Sequence, residues 1–183
     1  MMWLISDTEC GEKRIFMNKI EILQQRLPDG VDAFLTTDSV TRFYLTNFKS
    51  SNGFLFVTKK NAYFFTDFRY IEAAEKECVG CEVSVESYKG AVAEIIEKDH
   101  IATVAFEDEL VTVSALEGLK KSFPSCAFVS VGTLISDMMS IKTPEEMAKI
   151  RRAQEITDLA FAAVLPLLRP DMKETDVAAE LDL

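Results

Sequence analysis

Glu82-Val83-Ser84-Val85-Glu86, Thr103-Val104-Ala105-Phe106 and Cys126-Ala127-Phe128-Val129 are three short β-rich runs. The stretches between them, about Ala91 to Lys98 and Thr112 to Ser122, read as helices. Strand, helix, strand, helix, strand at this spacing predicts crossover connections and a locally parallel arrangement. Upstream the pattern changes. Phe54 to Thr58 and Ala62 to Thr66 are separated by Lys59-Lys60-Asn61, which predicts an antiparallel hairpin. The expected fold is therefore α/β, a mixed β-sheet covered by helices.

Working outward toward the N-terminus, Val31 to Leu35 alternates as a strand should, and Asp38-Ser39 offers caps for a short helix through Leu45. The loop Thr46 to Gly53 is rich in residues that tolerate positive φ. Asn18 to Leu27 places Ile20, Ile22, Leu23 and Leu27 on one helical stripe, ended by Pro28-Asp29-Gly30. After the hairpin, Asp67 is expected to cap a helix from Phe68 to about Cys78.

Toward the C-terminus, Thr143-Pro144-Glu145-Glu146 has the residues of a capped helix start: Thr143 as N-cap, Pro144 at the first helical position and Glu146 reaching back. Met147, Ile150, Ala153, Thr157, Ala160, Val164 and Leu168 recur at helical spacing behind it, and Pro166 is expected to kink or end the last turn. A second amphipathic run starts at Glu174 and reaches the last residue, Leu183, about two turns in. A helix that short has little stability of its own, so the expectation is that a continuation is missing. The domains expected are an extension over residues 1–16, a sheet domain over 17–140, and a linker helix with the start of another domain over 141–183.

The net charge of −10, from 30 acidic against 20 basic residues with no basic cluster, argues against nucleic acid and anionic membrane surfaces as partners. No run approaches the length of a membrane span. The four cysteines in an apolar chain suit a reducing compartment, so the expected location is cytoplasmic.

Tyr44-Leu45-Thr46-Asn47-Phe48, the Ser/Gly loop and hairpin, Thr66-Asp67-Phe68-Arg69-Tyr70, Phe106-Glu107, and Ile141 to Glu146 with Ile150-Arg151 occur in an order that resembles the N-terminal domain of the creatinase, prolidase and aminopeptidase P family. Arg169-Pro170-Asp171-Met172 to Glu180-Leu181 resembles the opening helices of that family's catalytic domain. Asn47, Phe68 and Asp171 stand where such sequences often carry glycine, and Lys173 where they often carry threonine. Asn accepts left-handed geometry, and Phe68 implies that no close backbone approach is needed at its position.

The resemblance implies a parent protein that hydrolyses the bond before proline with two divalent metal ions (Mn, Co or Zn) and a bridging water. It places the metal ligands in a C-terminal catalytic domain absent from this sequence. This chain is then expected to hold no cofactor and to be inactive alone. Its expected role is dimer contact and control of substrate access. Its partners would be the catalytic domain, a second copy in a homodimer and, for the parent, proline-containing peptides. Two alternatives share the fold: a stand-alone peptide- or protein-binding module, and the N-terminal domain of a creatinase-type C–N hydrolase.

Residues that could carry chemistry are few. His100, the one histidine, reads as a surface residue in a polar turn. Glu72, Glu75 and Glu77 read as a solvated helix face. Cys78-Val79-Gly80-Cys81 follows a helix, where a redox pair is not favoured, and has no second cysteine pair for zinc; it reads as structural. Arg69, in a first helical turn, calls for a carboxylate or carbonyl partner. It either fixes the Asp67 turn or, with Tyr70, faces the absent domain or a partner subunit. By the resemblance, the loop Thr37 to Thr41 with Asp38 reaches toward a neighbouring subunit's active site; by its sequence, Asp38 caps the short helix.

Overall fold

The computed structural model describes residues 18–85 and 87–181. The expected extension over residues 1–16, the end of the Glu82–Glu86 run and the last two residues lie outside them. The chain divides into two compact units, one ending at Ser136 and one beginning at Asp137.

The first unit is built on a six-stranded sheet. Its elements in chain order are α1 (Lys19–Arg26), β1 (Ala33–Thr36), α2 (Ser39–Thr46), β2 (Phe54–Thr58), β3 (Ala62–Phe65), α3 (Ile71–Glu77), β4 (Glu82–Ser84), α4 (Tyr88–Asp99), β5 (Thr103–Phe106), α5 (Val113–Ser122), β6 (Ala127–Ser130) and the start of α6 (Leu134–Ser140). The strand order is β4-β3-β2-β1-β5-β6. β2 pairs antiparallel with both β1 and β3, whereas β4 joins β3, β5 joins β1 and β6 joins β5 in parallel. β4 and β5, neighbours in sequence, thus lie on opposite sides of the antiparallel centre, and α4 carries the chain across.

The central strands are covered on both faces, which corrects the alternation expected for β1: Ala33, Phe34, Leu35 and Thr36 are all buried. Residues of one parity, such as Leu35, Phe54, Phe56 and Phe65, pack with Val92 and Ile96 of α4 and with Leu116 and Leu119 of α5. Phe64 has the other parity and meets Phe48 edge to face at 5.9 Å. On that side α1 packs on α2 and β2. Gln24 of α1 donates to the carbonyl of Thr58 at 2.8 Å. The edge strands β4 and β6 hold no fully buried residue.

Several boundaries move. α3 begins at Ile71, three residues beyond the expected Phe68, because Asp67 closes a turn instead: the Tyr70 N–H donates to the Asp67 carbonyl and the Arg69 N–H to its carboxylate, both at 3.0 Å. Phe68 is 83% exposed on that turn. α4 starts at Tyr88, ahead of the expected Ala91, where the Tyr88 ring stacks on Phe54 at 4.3 Å. Gly90 hides that first turn from a propensity reading. α6 was not expected; Ile135 and Met138, three apart, are its buried positions.

The second unit continues with α7 (Pro144–Val164), a 3₁₀ turn at Leu165–Leu167 and α8 (Glu174–Leu181). Thr143 and Glu146 form the expected reciprocal cap. Pro166 falls in the 3₁₀ turn that ends α7. Of the expected apolar stripe only Val164 is buried; Ile150 is 48% and Leu168 46% exposed. No helix of the described residues is long and apolar enough to cross a membrane.

Candidate functional site

The carboxyl ends of the parallel pair β1 and β5 bring together the residues best placed to act, as expected for a sheet whose strand order reverses there. Thr36 closes β1 and Glu107 follows β5. Glu107 is buried and accepts from the hydroxyls of Thr36 and Thr41, each at 2.9 Å. Thr36 also accepts the Asp38 N–H at 3.1 Å. Asp38 caps α2, its Oδ2 accepting from the N–H groups of Val40 and Thr41 at 2.9 and 2.8 Å. One carboxylate therefore fixes both flanks of the Asp38 loop. Burial pushes the Glu107 carboxyl above its ordinary value, against the two threonine hydroxyls.

Arg42, on the inner face of α2, is 2% exposed. Its Nε donates to the Thr37 carbonyl at 3.3 Å, Nη1 to Ser50 Oγ at 2.7 Å and Nη2 to the Ser50 carbonyl at 3.2 Å. It thereby ties the loop after β1 to the loop before β2. The guanidinium also lies 5.8 Å from the Phe64 ring centre. Burial lowers its pKa, opposed by the fields of Asp38 and Tyr70, and an arginine stays charged regardless. The glycine at 53 is required by this packing: a methyl group there would run into Arg42 Nη1 and come within 2.7 Å of the Phe64 ring.

The next link is Ser51, whose Oγ shares a hydrogen with Tyr70 Oη at 2.7 Å. That bond lowers the Tyr70 pKa. Asn52 Nδ2 donates to Asp67 Oδ2 at 2.7 Å. Arg69 grips Asp67 from the other side, Nε to Oδ1 at 3.0 Å and Nη2 to Oδ2 at 2.7 Å, and passes over the Tyr70 ring at 5.4 Å. Arg69, then Asn52, hold the Asp67 carboxyl well below the usual carboxylate range.

Among the sequence candidates, the structure thus sets Arg69 and Tyr70 side by side, with Arg69 paired to Asp67, and leaves Asp38 on a separate clasp. Arg42 joins the two, and its part was not read from the sequence. The signal was present: an arginine on the same helical face as Leu45 and Thr46, all three buried. Thr36 and Thr41 carried none, since isolated threonines fit any surface. These loops border a cleft of about 300 Å³ lined by Thr37, Arg42, Asn52, Thr66, Ser87 and Tyr88. It offers hydroxyls, an amide and one cation, a set that can hold polar groups by hydrogen bonding.

His100 is exposed and ends α4 in the left-handed conformation, φ 55°. Glu72, Glu75 and Glu77 face solvent while Ala74 is buried. Among the described residues no group of three or more His, Cys, Asp or Glu side chains could hold a metal ion. A two-metal centre, which needs several converging carboxylates and a histidine, does not fit the described residues.

The family model described as the creatinase/prolidase N-terminal domain matches residues 20–141. The chain belongs to that family. The uncharacterized peptidase YqhT of Bacillus subtilis is 29% identical over 155 residues, which cover 84% of this chain and 44% of the relative. Among solved structures, the Xaa-Pro dipeptidase from Bacillus anthracis superimposes with a TM-score of 0.81 at 32% identity, over 89% of this chain and 46% of its own. The X-Pro aminopeptidase from Thermotoga maritima gives 0.77 at 26% identity, over 90% and 48%. The chain spans less than half the length of these relatives, and its mixed sheet with covering helices is the architecture of their N-terminal regions.

Proposed function

We propose that this chain is the non-catalytic N-terminal domain of a cytoplasmic Xaa-Pro metallopeptidase that works as a homodimer. The observation that carries the reading is the family match over the sheet domain together with a span below half the length of the named Xaa-Pro peptidases. In this reading the two divalent metal ions (Mn, Co or Zn) and their ligands belong to the catalytic domain of the full-length protein. The clasped loops at the ends of β1 and β5 form the face that narrows access for proline-containing peptides. Asp38, Arg69 and Tyr70 are the candidates for contact there, and Arg42 and Glu107 hold their loops in place.

Equilibrium dialysis of the purified chain against Mn²⁺, Co²⁺ and Zn²⁺, followed by elemental analysis, tests this directly. The reading expects no stoichiometric ion in the chain and about two per subunit in the full-length protein. One tightly bound ion per chain would overturn it.

A further inference from the structure

Cys78 and Cys81 take no part in the clasps described above. Cys78 is the C-cap of α3, extended at φ −63°, ψ 133°. Two residues on, Gly80 turns the chain at φ +78°, a conformation open to glycine without strain. The reversal sets Cys81 beside Cys78, and the two side chains hydrogen-bond to each other. Both are free thiols, each half-buried. The turn is also braced from outside. The Val79 N–H donates to the Thr46 carbonyl at 2.9 Å. The Asn18 side chain, which caps α1, lies so close under Gly80 that an added Cβ would meet it at 2.8 Å.

We propose that Cys78 and Cys81 are a reversible redox pair, which closes to a disulfide on reaction with a hydroperoxide and reopens with a small dithiol. The two thiols divide the work. The hydrogen bond from Cys81 lowers the Cys78 pKa, with help from the Thr46 hydroxyl and against burial and the charge of Glu77. Cys81 is pushed up by that same bond and by burial, so it keeps its proton. Cys78 thiolate attacks the terminal peroxide oxygen. The O–O bond breaks, the alcohol (or water, from hydrogen peroxide) leaves with a proton from solvent, and Cys78 becomes a sulfenic acid. Cys81 sulfur then attacks Cys78 sulfur. The S–S bond forms, and the sulfenic oxygen leaves as water with the Cys81 proton. Two thiols and one hydroperoxide give one disulfide, one alcohol and one water. Reduction by a dithiol returns both thiols and leaves the dithiol as its own disulfide.

Cys126 provides an internal control. It is also half-buried, but burial raises its pKa and its thiol donates to the Ile101 carbonyl at 3.4 Å. The test treats the whole chain with graded hydrogen peroxide, alkylates the remaining thiols and maps the peptides by mass spectrometry. Alkylation of Cys78 and Cys81 is expected to fall together, at a peroxide dose at least tenfold below that needed for Cys126. A linked Cys78–Cys81 peptide should appear, and dithiothreitol should restore labelling. In Cys81→Ser the linked peptide is lost and Cys78 is trapped as sulfenic acid by a dione probe. Equal sensitivity of the three thiols, or linkage of Cys78 to a cysteine other than Cys81, would overturn the assignment. So would persistent alkylation of Cys78 and Cys81 at a dose that oxidises Cys126.

Discussion

The two units of the chain put apolar residues to different use. Up to Ser136, strand and helix faces enclose a sheet in which Phe34, Leu55, Phe56, Phe64 and Val104 are at most 1% exposed. From Asp137 on, helices of comparable apolar content leave Ile156, Leu159, Phe161 and Leu165 more than half exposed. Burial is the dominant stabilising term in folding. The first unit therefore carries the chain's stability, and α7 and α8 rest on their caps and propensity with apolar surface to spare. That surface is expected to make the chain self-associate; a monomer at all concentrations by light scattering would count against it.

The largest effect that can break this contrast comes from paired truncations. Phe56→Ala removes a fully buried ring and should cost about 3–5 kcal/mol, whereas Leu159→Ala, at a position 67% exposed, should stay within about 0.5 kcal/mol. Denaturant titration followed by circular dichroism measures both. Similar losses would mean that the helical unit is as well packed as the sheet.

Gly53→Ala sharpens the picture at the clasp. The new methyl must displace Arg42 or the Phe64 ring, so about 1–3 kcal/mol of overpacking is expected. An unchanged unfolding midpoint would show that Arg42 holds the loop loosely. Next in size is Thr143→Ala, which removes one half of the reciprocal cap and should cost α7 about 1 kcal/mol. Amide exchange should quicken in the first turn of α7 and remain as it was in β1 and β2; faster exchange in the strands would contradict the separation of the units.

Two carboxylates within the sheet unit are shifted in opposite directions. Glu107 is raised by burial, so its contribution is full below its unfolded value, about 4.3, and is lost as pH rises through the folded one. Asp67 is lowered by Arg69, so its contribution is present above about 3.9 and is lost as pH falls. In Glu107→Gln the stability relative to the parent should improve as pH is raised from 4 toward 7, and in Asp67→Asn it should worsen as pH rises from acid toward 5. Parallel pH curves for parent and variants would show that neither carboxyl is perturbed by folding.

Much of this architecture was legible in the sequence, because the signals were local. The hairpin, β5, the start of α5 at its Thr112 cap and the Thr143–Glu146 cap all declare themselves within a few residues. What the sequence hid depends on distant partners. β1 is buried on both faces because helices cover both, and no alternation records that. The placement of β4 beside β3 is set by pairing across the sheet. At the candidate site, the Asp38 cap was readable from Asp38-Ser39, whereas the Glu107 clasp joins residues 66 and 71 positions apart. Arg69 was expected to need a carboxylate, and Asp67 two residues before it supplies one.

The most direct measurement of the central claim is hydrolysis of an Xaa-Pro dipeptide and a longer Xaa-Pro peptide, with Mn²⁺, Co²⁺ or Zn²⁺ present, by this chain and by the full-length protein that the proposed function calls for. The account predicts no hydrolysis by the chain alone and metal-dependent cleavage before proline by the full-length protein. Turnover by the purified chain, or a full-length protein inert toward every Xaa-Pro bond, would contradict it.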